Sequence, residues 1–163
     1  MMVPLKNISR WSILSLTVLL SLLLVSSICV LHKVNQSGYP HFTPDDLVRY
    51  ASLYLPGNKL GNYGRRLDCS GFTKSVFRHF HQKIPRSSSE QSRLGKRLNI
   101  DQLNKGDLIF FATSGNRISH VGLYLGNQRF IHSPDKNQDV RVDSLNGPYW
   151  HNNFRWGISI IRK

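Results

Sequence analysis

The sequence predicts an α+β domain, with helices first in the chain and a mainly antiparallel sheet after them. Three observations lead there. Apolar residues recur at helical spacing as far as Phe80. Beyond Lys105 they change to short compact or alternating runs. The two kinds of segment are segregated along the chain, the order of an α+β fold rather than of alternating βαβ units.

A separate N-terminal stretch precedes the domain. From Trp11 to Leu31 there is no charged residue, with Lys6 and Arg10 before it and His32 and Lys33 after it. A positive start, an apolar run and the small residues Val25-Ser26-Ser27 fit a secretory signal. The run is also long enough to cross a bilayer as an uncleaved anchor. Lipidation at Cys29 ranks below both, because Ile28 stands where a small residue is wanted. Either leading reading exports the rest of the chain. Residues 1–32 therefore read as signal peptide or membrane anchor, 33–42 as a linker with Ser37, Gly38 and Pro40, and 43–163 as the domain.

Within the domain, Thr43-Pro44-Asp45-Asp46 is a helix start. Thr43 can cap, Pro44 suits the first turn, and the acids favour the positive end of the helix dipole. Leu47, Tyr50, Ala51 and Tyr54 follow on one face, and Pro56-Gly57 ends the helix. Gly57 to Leu67 reads as a loop. Phe72, Val76, Phe77 and Phe80 give a second helical face that starts at or near Cys69. Ser87-Ser88-Ser89-Glu90 has the capping-box form and opens a short helix to about Leu94. Asp107 to Ala112 is a compact apolar strand. Ser119 to Leu125 alternates, with His120, Gly122 and Tyr124 on one face. Arg129 to Ser133 returns across a Gly126-Asn127 turn, and Val140–Val142 and Trp156–Ile161 supply further strands.

Composition narrows the function classes. The net charge is +13, and loss of Lys6 and Arg10 leaves the chain strongly basic. Such a surplus favours anionic partners: nucleic acid, an acidic membrane surface or an anionic wall polymer. For an exported chain the last two fit better. The basic residues are not interleaved with aromatics, which argues against nucleic acid. No Gly-rich phosphate loop and no cofactor motif is present.

Only two cysteines occur, Cys29 and Cys69. Removal of the leader leaves Cys69 as a lone thiol in an oxidising compartment, where it is either used or buried. It stands in Leu67-Asp68-Cys69-Ser70-Gly71-Phe72, at a predicted helix start, where backbone donors and the dipole stabilise a thiolate. Local context leaves two readings, a reactive thiol and a small buried hydrophobe.

A thiol nucleophile needs a base. Of the seven histidines, only His120 and His132 fall in predicted strands, those of one hairpin. Opposing them would also pair Gly122 with Phe130 and Tyr124 with Gln128. That register needs an odd loop, Leu125-Gly126-Asn127; an even loop would put the rings on opposite faces. With the odd loop, one ring can serve Cys69 and the other can orient it. The same residues could ligate zinc, but neither C-x-x-C nor H-E-x-x-H spacing occurs, so no metal is expected.

Five blocks then resemble, in order, the NlpC-type family of cell-wall cysteine peptidases. They are Leu67-Asp68-Cys69-Ser70-Gly71-Phe72, Ile84-Pro85-Arg86-Ser87-Ser88-Ser89-Glu90-Gln91, Lys105 to Phe111, Ser119 to Gly126, and Phe130-Ile131-His132-Ser133. The resemblance implies a papain-like α+β fold and hydrolysis of stem-peptide bonds in bacterial peptidoglycan, in the periplasm or cell envelope. By position it makes Cys69 the nucleophile, His120 the general base and His132 the residue that orients it. Asp68 and Ser70 flank the nucleophile and help position substrate, and the Cys69 amide contributes to an oxyanion hole. One departure stands out. The family's Pro-Tyr-x-x-Gly-Gly segment is replaced here by Leu55 to Gly64, with Tyr54 and Tyr63 as the nearest tyrosines. An amidase or acyltransferase of the same fold, or a wall-binding domain without activity, are the alternatives.

Overall fold

The computed structural model describes Ser21 and residues 42–161. Apart from Ser21 and Phe42, the expected leader and linker lie outside the described residues. Residues 1–41 and 42–163 separate as two units, and the fold below is that of the second.

Capping chemistry opens the first helix. Thr43 Oγ1 accepts the Asp46 amide at 3.2 Å, and Asp46 Oδ2 accepts the Thr43 amide at 2.9 Å. Helix α1, Pro44–Ser52, follows and buries Leu47 and Ala51. The loop expected from Gly57 to Leu67 contains one helical turn, α2 at Gly61–Gly64. Gly-Asn-Tyr-Gly is too short and too polar to show a period. Helix α3, Cys69–His79, starts where expected. Helix α4, Ser88–Gln91, opens on the Ser87–Glu90 capping box but stops three residues before Leu94. There the Ser92 hydroxyl donates to the Ser89 carbonyl at 2.8 Å, and Trp156 Nε1 donates to the Ser92 carbonyl at 3.2 Å. Side chains thus take up the carbonyls that a longer helix would use.

The strands are β1 Leu108–Phe111, β2 His120–Gly126, β3 Arg129–His132, β4 Arg141–Ser144 and β5 Phe154–Ile158. Between β4 and β5 lies helix α5, Pro148–Asn153, in a stretch to which the sequence assigned no element. The strands form one antiparallel sheet in the order β4-β3-β2-β1-β5. The α+β expectation therefore holds.

Both faces of the sheet are covered. On one, Phe72, Val76 and Phe77 of α3 pack with Leu108, Phe110, Val121, Leu123 and Ile131. Fully burying each such phenylalanine contributes about 1.5–3 kcal/mol. On the other, Ile109, Phe111, Tyr124, Phe130 and Leu145 lie beneath Trp150 and Phe154. The two-sided burial explains why β1 reads as an unbroken Leu-Ile-Phe-Phe run.

The β2–β3 hairpin corrects the expected register. Leu123 pairs with Ile131, Tyr124 with Phe130 and Gly126 with Arg129. The loop is the two-residue Asn127-Gln128, with φ of 51° and 58°, the left-handed pair of a type I′ turn. Alone, that even loop would separate the two histidines onto opposite faces. A bulge between Tyr124 and Gly126 inserts Leu125 and restores the shared face. Gly126 takes φ 87° at this point. The two rings are therefore diagonal neighbours rather than directly opposite.

Gly122 sits on the same face. A Cβ there would lie 2.6 Å from Phe130 Cδ2 and 3.3 Å from the Ile131 carbonyl. Gly122→Ala should lower stability by about 1–3 kcal/mol through overpacking. Urea unfolding checks this, and an unchanged midpoint would refute it.

Candidate active site

Asp68 fixes where α3 begins. Its Oδ1 accepts the Gly71 amide at 2.7 Å, so the helix starts with Cys69 in its first turn. The approach to Cys69 is tied to the end of β3. Ser133 Oγ donates to the Leu67 carbonyl at 2.5 Å, the Asn137 amide to the Arg65 carbonyl at 2.6 Å, and Arg65 pairs with Asp139 at 3.1 Å. The chain following His132 thereby holds the chain leading to Cys69. The thiol lies at the backbone amide of Val121, one residue beyond His120.

The helix start does not lower the thiol's pKa as the sequence suggested. Burial pushes it up, with the Asp68 charge helping. The amides of Val121, Ser70 and Cys69 offset only part of this. At rest Cys69 is a thiol, and a nucleophilic role for it would call for a partner that takes its proton. Alkylation by iodoacetamide should therefore rise with pH to a midpoint above that of an ordinary thiol. A midpoint near pH 7 or lower would refute this reading.

His120 and His132 meet as the strand parity required. His120 Nε2 and His132 Nδ1 are 2.8 Å apart, and His132 Nε2 is 3.0 Å from Asp143 Oδ2. The chain crosses β2, β3 and β4 diagonally: His132 is opposite Arg141, and Asp143 lies two residues further along. Its direction is set by chemistry. A carboxylate only accepts, so His132 Nε2 carries the hydrogen. The neutral ring then offers Nδ1 as acceptor, which takes the hydrogen of His120 Nε2. His120 Nδ1 is left with a lone pair, able to accept a proton.

Trp150 closes this site. Its Nε1 donates to Asp143 Oδ2 at 2.9 Å, and its ring lies 5.3 Å from that of His120 and 4.9 Å from that of His132. Arg141 Nε adds a contact to the same Asp143 oxygen at 3.2 Å. Burial pushes the Asp143 pKa up, but His132, Trp150 and Arg141 together hold it below the usual carboxylate range. Sequence reasoning missed both Asp143 and Trp150. Asp143 had one available signal, its place directly after the predicted strand Val140–Val142, which follows a hairpin carrying two histidines.

Burial is also the main reason both histidine pKa values are low. For His120, the neighbouring His132 and Arg141 add to it; for His132, Asp143 opposes it. Both rings are neutral at neutral pH. Unfolded histidine titrates near pH 6.5, so below that the unfolded chain binds protons that the folded rings refuse. Stability from this source is full above about pH 6.5 and falls as pH drops below it. The slope is up to about 1.4 kcal/mol per pH unit per ring. Thermal unfolding between pH 7 and 5 checks this; a constant midpoint over that range would refute it.

Asp68 and Ser70 flank Cys69, as their positions implied, and both contact Arg86. Its guanidinium binds Asp68 with two donors, at 2.9 and 2.6 Å, and reaches Ser70 Oγ at 2.9 Å. A Cβ on Gly71 would lie 3.0 Å from Asp68 Oδ1, so the glycine makes room for this cap. Gln91, wholly buried, ties α4 to the same helix start. Its Nε2 donates to the Ser70 and Pro85 carbonyls at 3.1 and 2.9 Å, and its Oε1 accepts from Thr73 at 2.9 Å. Of the two tyrosines near the atypical loop, Tyr54 is buried edge-on to Phe72, and Tyr63 is exposed.

Known proteins share this arrangement of chain. A γ-D-glutamyl-L-lysine dipeptidyl-peptidase from Bacillus cereus is 37% identical over 118 residues, 70% of this chain and 35% of its own. A murein DD-endopeptidase MepS/murein LD-carboxypeptidase from Escherichia coli is 38% identical over 104 residues, 63% of this chain and 54% of its own. The chain thus spans about half or less of the length of these relatives. The solved structure of an NlpC/P60 family protein from Bacillus cereus superposes with a TM-score of 0.67 at 30% identity, covering 78% of this chain and 43% of the other. The NlpC/P60 family model itself matches residues 57–158, from the loop before Cys69 to the end of β5, and the chain belongs to that family.

Proposed function

We propose that this chain is a cysteine endopeptidase that cuts peptide bonds in the stem peptides of bacterial peptidoglycan. The observation that carries the reading is the His120–His132–Asp143 chain, which ends in a free lone pair beside the strand residue that contacts Cys69. Family membership supports it, as do the murein endopeptidase and the γ-D-glutamyl-L-lysine dipeptidyl-peptidase among the relatives.

In this mechanism the Cys69 sulfur attacks the carbonyl carbon of the scissile amide while its proton passes to His120 Nδ1. The oxyanion forms against backbone donors at the helix start, among them the Cys69 amide. Collapse breaks the C–N bond, and the leaving amine takes the proton from His120. Water, deprotonated by His120, then attacks the thioester and releases the acid and the free thiol. His132 keeps His120 in the required tautomer, and Asp68 and Ser70 border the substrate.

Mass spectrometry of digested sacculi tests the bond assignment. Fragments cut within the stem peptide are expected. Release of intact peptides from the glycan would instead assign an amidase. We place the enzyme in the cell envelope, exported through residues 1–32 or held by them. Fractionation of cells expressing the full chain should find it outside the cytoplasm.

A further inference from the structure

Three arginines, Arg93, Arg97 and Arg117, line an open notch of about 470 Å³ with Ser89, Asn116 and Trp156. Three like charges in one notch repel, and a folded chain commonly relieves this with interspersed acids. No acid lines this notch. All nine acidic side chains lie among the described residues, and none forms an ion pair with any of the three arginines. Glu90 lies near enough for Ser87 first, and then the Arg93 and Lys74 charges, to lower its pKa, but its carboxylate is held by the Ser87 hydroxyl at 2.6 Å and amide at 3.2 Å and forms no ion pair with Arg93. Asp68 is held by Arg86, and Asp143 by His132 and Arg141.

Arg97 is pre-positioned. Its guanidinium carbon lies 3.8 Å from the centroid of the Trp156 ring, which is itself fixed by its bond to the Ser92 carbonyl. Stacking engages the flat face of the guanidinium and leaves its N–H edge for a planar anion.

The notch is built from the segments that border the candidate active site. Helix α4, which contributes Ser89, is bound to the start of α3 through Gln91 and the Ser70 carbonyl. The β1–β2 connection, which contributes Asn116 and Arg117, leads into His120, and His120 pairs with Phe111 at its other end.

We propose that Arg93, Arg97 and Arg117 form a carboxylate subsite that grips a free carboxylate of the peptide substrate. The proposal rests on the endopeptidase reading above. Guanidinium pairs carboxylate in two parallel hydrogen bonds, which adds orientation to affinity.

The test compares a stem peptide carrying free carboxylates with the same peptide amidated, using the full chain. For the free peptide, the double variant Arg97→Gln/Arg117→Gln should raise KM at least about 10-fold with little change in kcat. For the amidated peptide, the same variant should change KM less than about twofold, and in the unmodified protein amidation itself should raise KM at least about 10-fold. Arg97→Lys, which keeps the charge but loses the fork, should fall between. Lys59→Gln, outside the notch, controls for net charge and should leave KM unchanged. Equal effects on both peptides, or no effect on either, would overturn the subsite.

Binding separates this proposal from the reaction assignment. Calorimetry with the Cys69→Ala chain and the uncleaved free peptide should give at least about 10-fold weaker binding when Arg97→Gln/Arg117→Gln is added. If the unmodified protein cleaves neither peptide, the endopeptidase reading fails and the binding result alone decides the subsite. Inorganic phosphate that binds the notch tightly without competing with the peptide would assign it to a phosphate ligand and overturn the proposal.

Discussion

Replacing Cys69 with alanine is expected to reduce release of muropeptides from purified sacculi by about 10⁴-fold or more, and His120→Ala to do the same. The two side chains act as one unit in the proposed mechanism. Burial pushes the thiol's pKa up, and the proposed mechanism gives His120 the task of removing its proton. Loss of either leaves the other without a task. The double variant should therefore be no slower than the single ones, since such units are strongly non-additive. Circular dichroism of each variant separates lost chemistry from lost folding. A Cys69→Ala protein that retains activity would end the mechanism. Independent, multiplying losses would mean that the residues act in different steps.

Asp143→Asn should lower kcat by about 100-fold while leaving KM within about threefold. The side chain hardly changes in size, so packing under Trp150 is kept. The hydrogen-bond direction changes instead. An asparagine can present an N–H to His132 Nε2, which moves the ring's hydrogen to Nδ1. That hydrogen then faces His120 Nε2, which must accept it and carry its own hydrogen on Nδ1. His120 enters the reaction in the tautomer that cannot take a proton from the thiol. Aspartate and glutamate share the acceptor-only chemistry, so Asp143→Glu should recover part of the rate. Imidazole proton resonances would report the tautomer directly. A kcat within twofold of the parent, or equal losses for Asn and Glu, would make Asp143 only a packing residue.

Much of this site was legible in the residues. The cap at Thr43, the box at Ser87 and Glu90, and the start of α3 at Cys69 follow from local chemistry, which a few neighbouring residues decide. The shared face of His120 and His132 was also legible, but for an incomplete reason. An odd loop was expected; an even turn and a one-residue bulge at Leu125 give the same parity. Periodicity counts residues and does not see where an extra one is absorbed. Helices α2 and α5 were missed because each is short, and the rings that hold Trp150 of α5, those of Phe111 and Phe130, are distant in sequence.

The sequence by itself determined the order of helices and strands, the lone thiol at a helix start, and the pair of histidines that one hairpin could bring together. These depend on spacing and side-chain type, which the chain carries locally. Tertiary structure alone decided the thiol's protonation, because burial against β2 outweighs the helix-start donors. It alone brought Asp143 and Trp150 to His132, through a strand pairing and a helix that no local pattern specified. It also gathered Arg93, Arg97 and Arg117 from separate segments into one notch without an acid. Desolvation and charge pairing act through space, so they become readable only when the chain is folded.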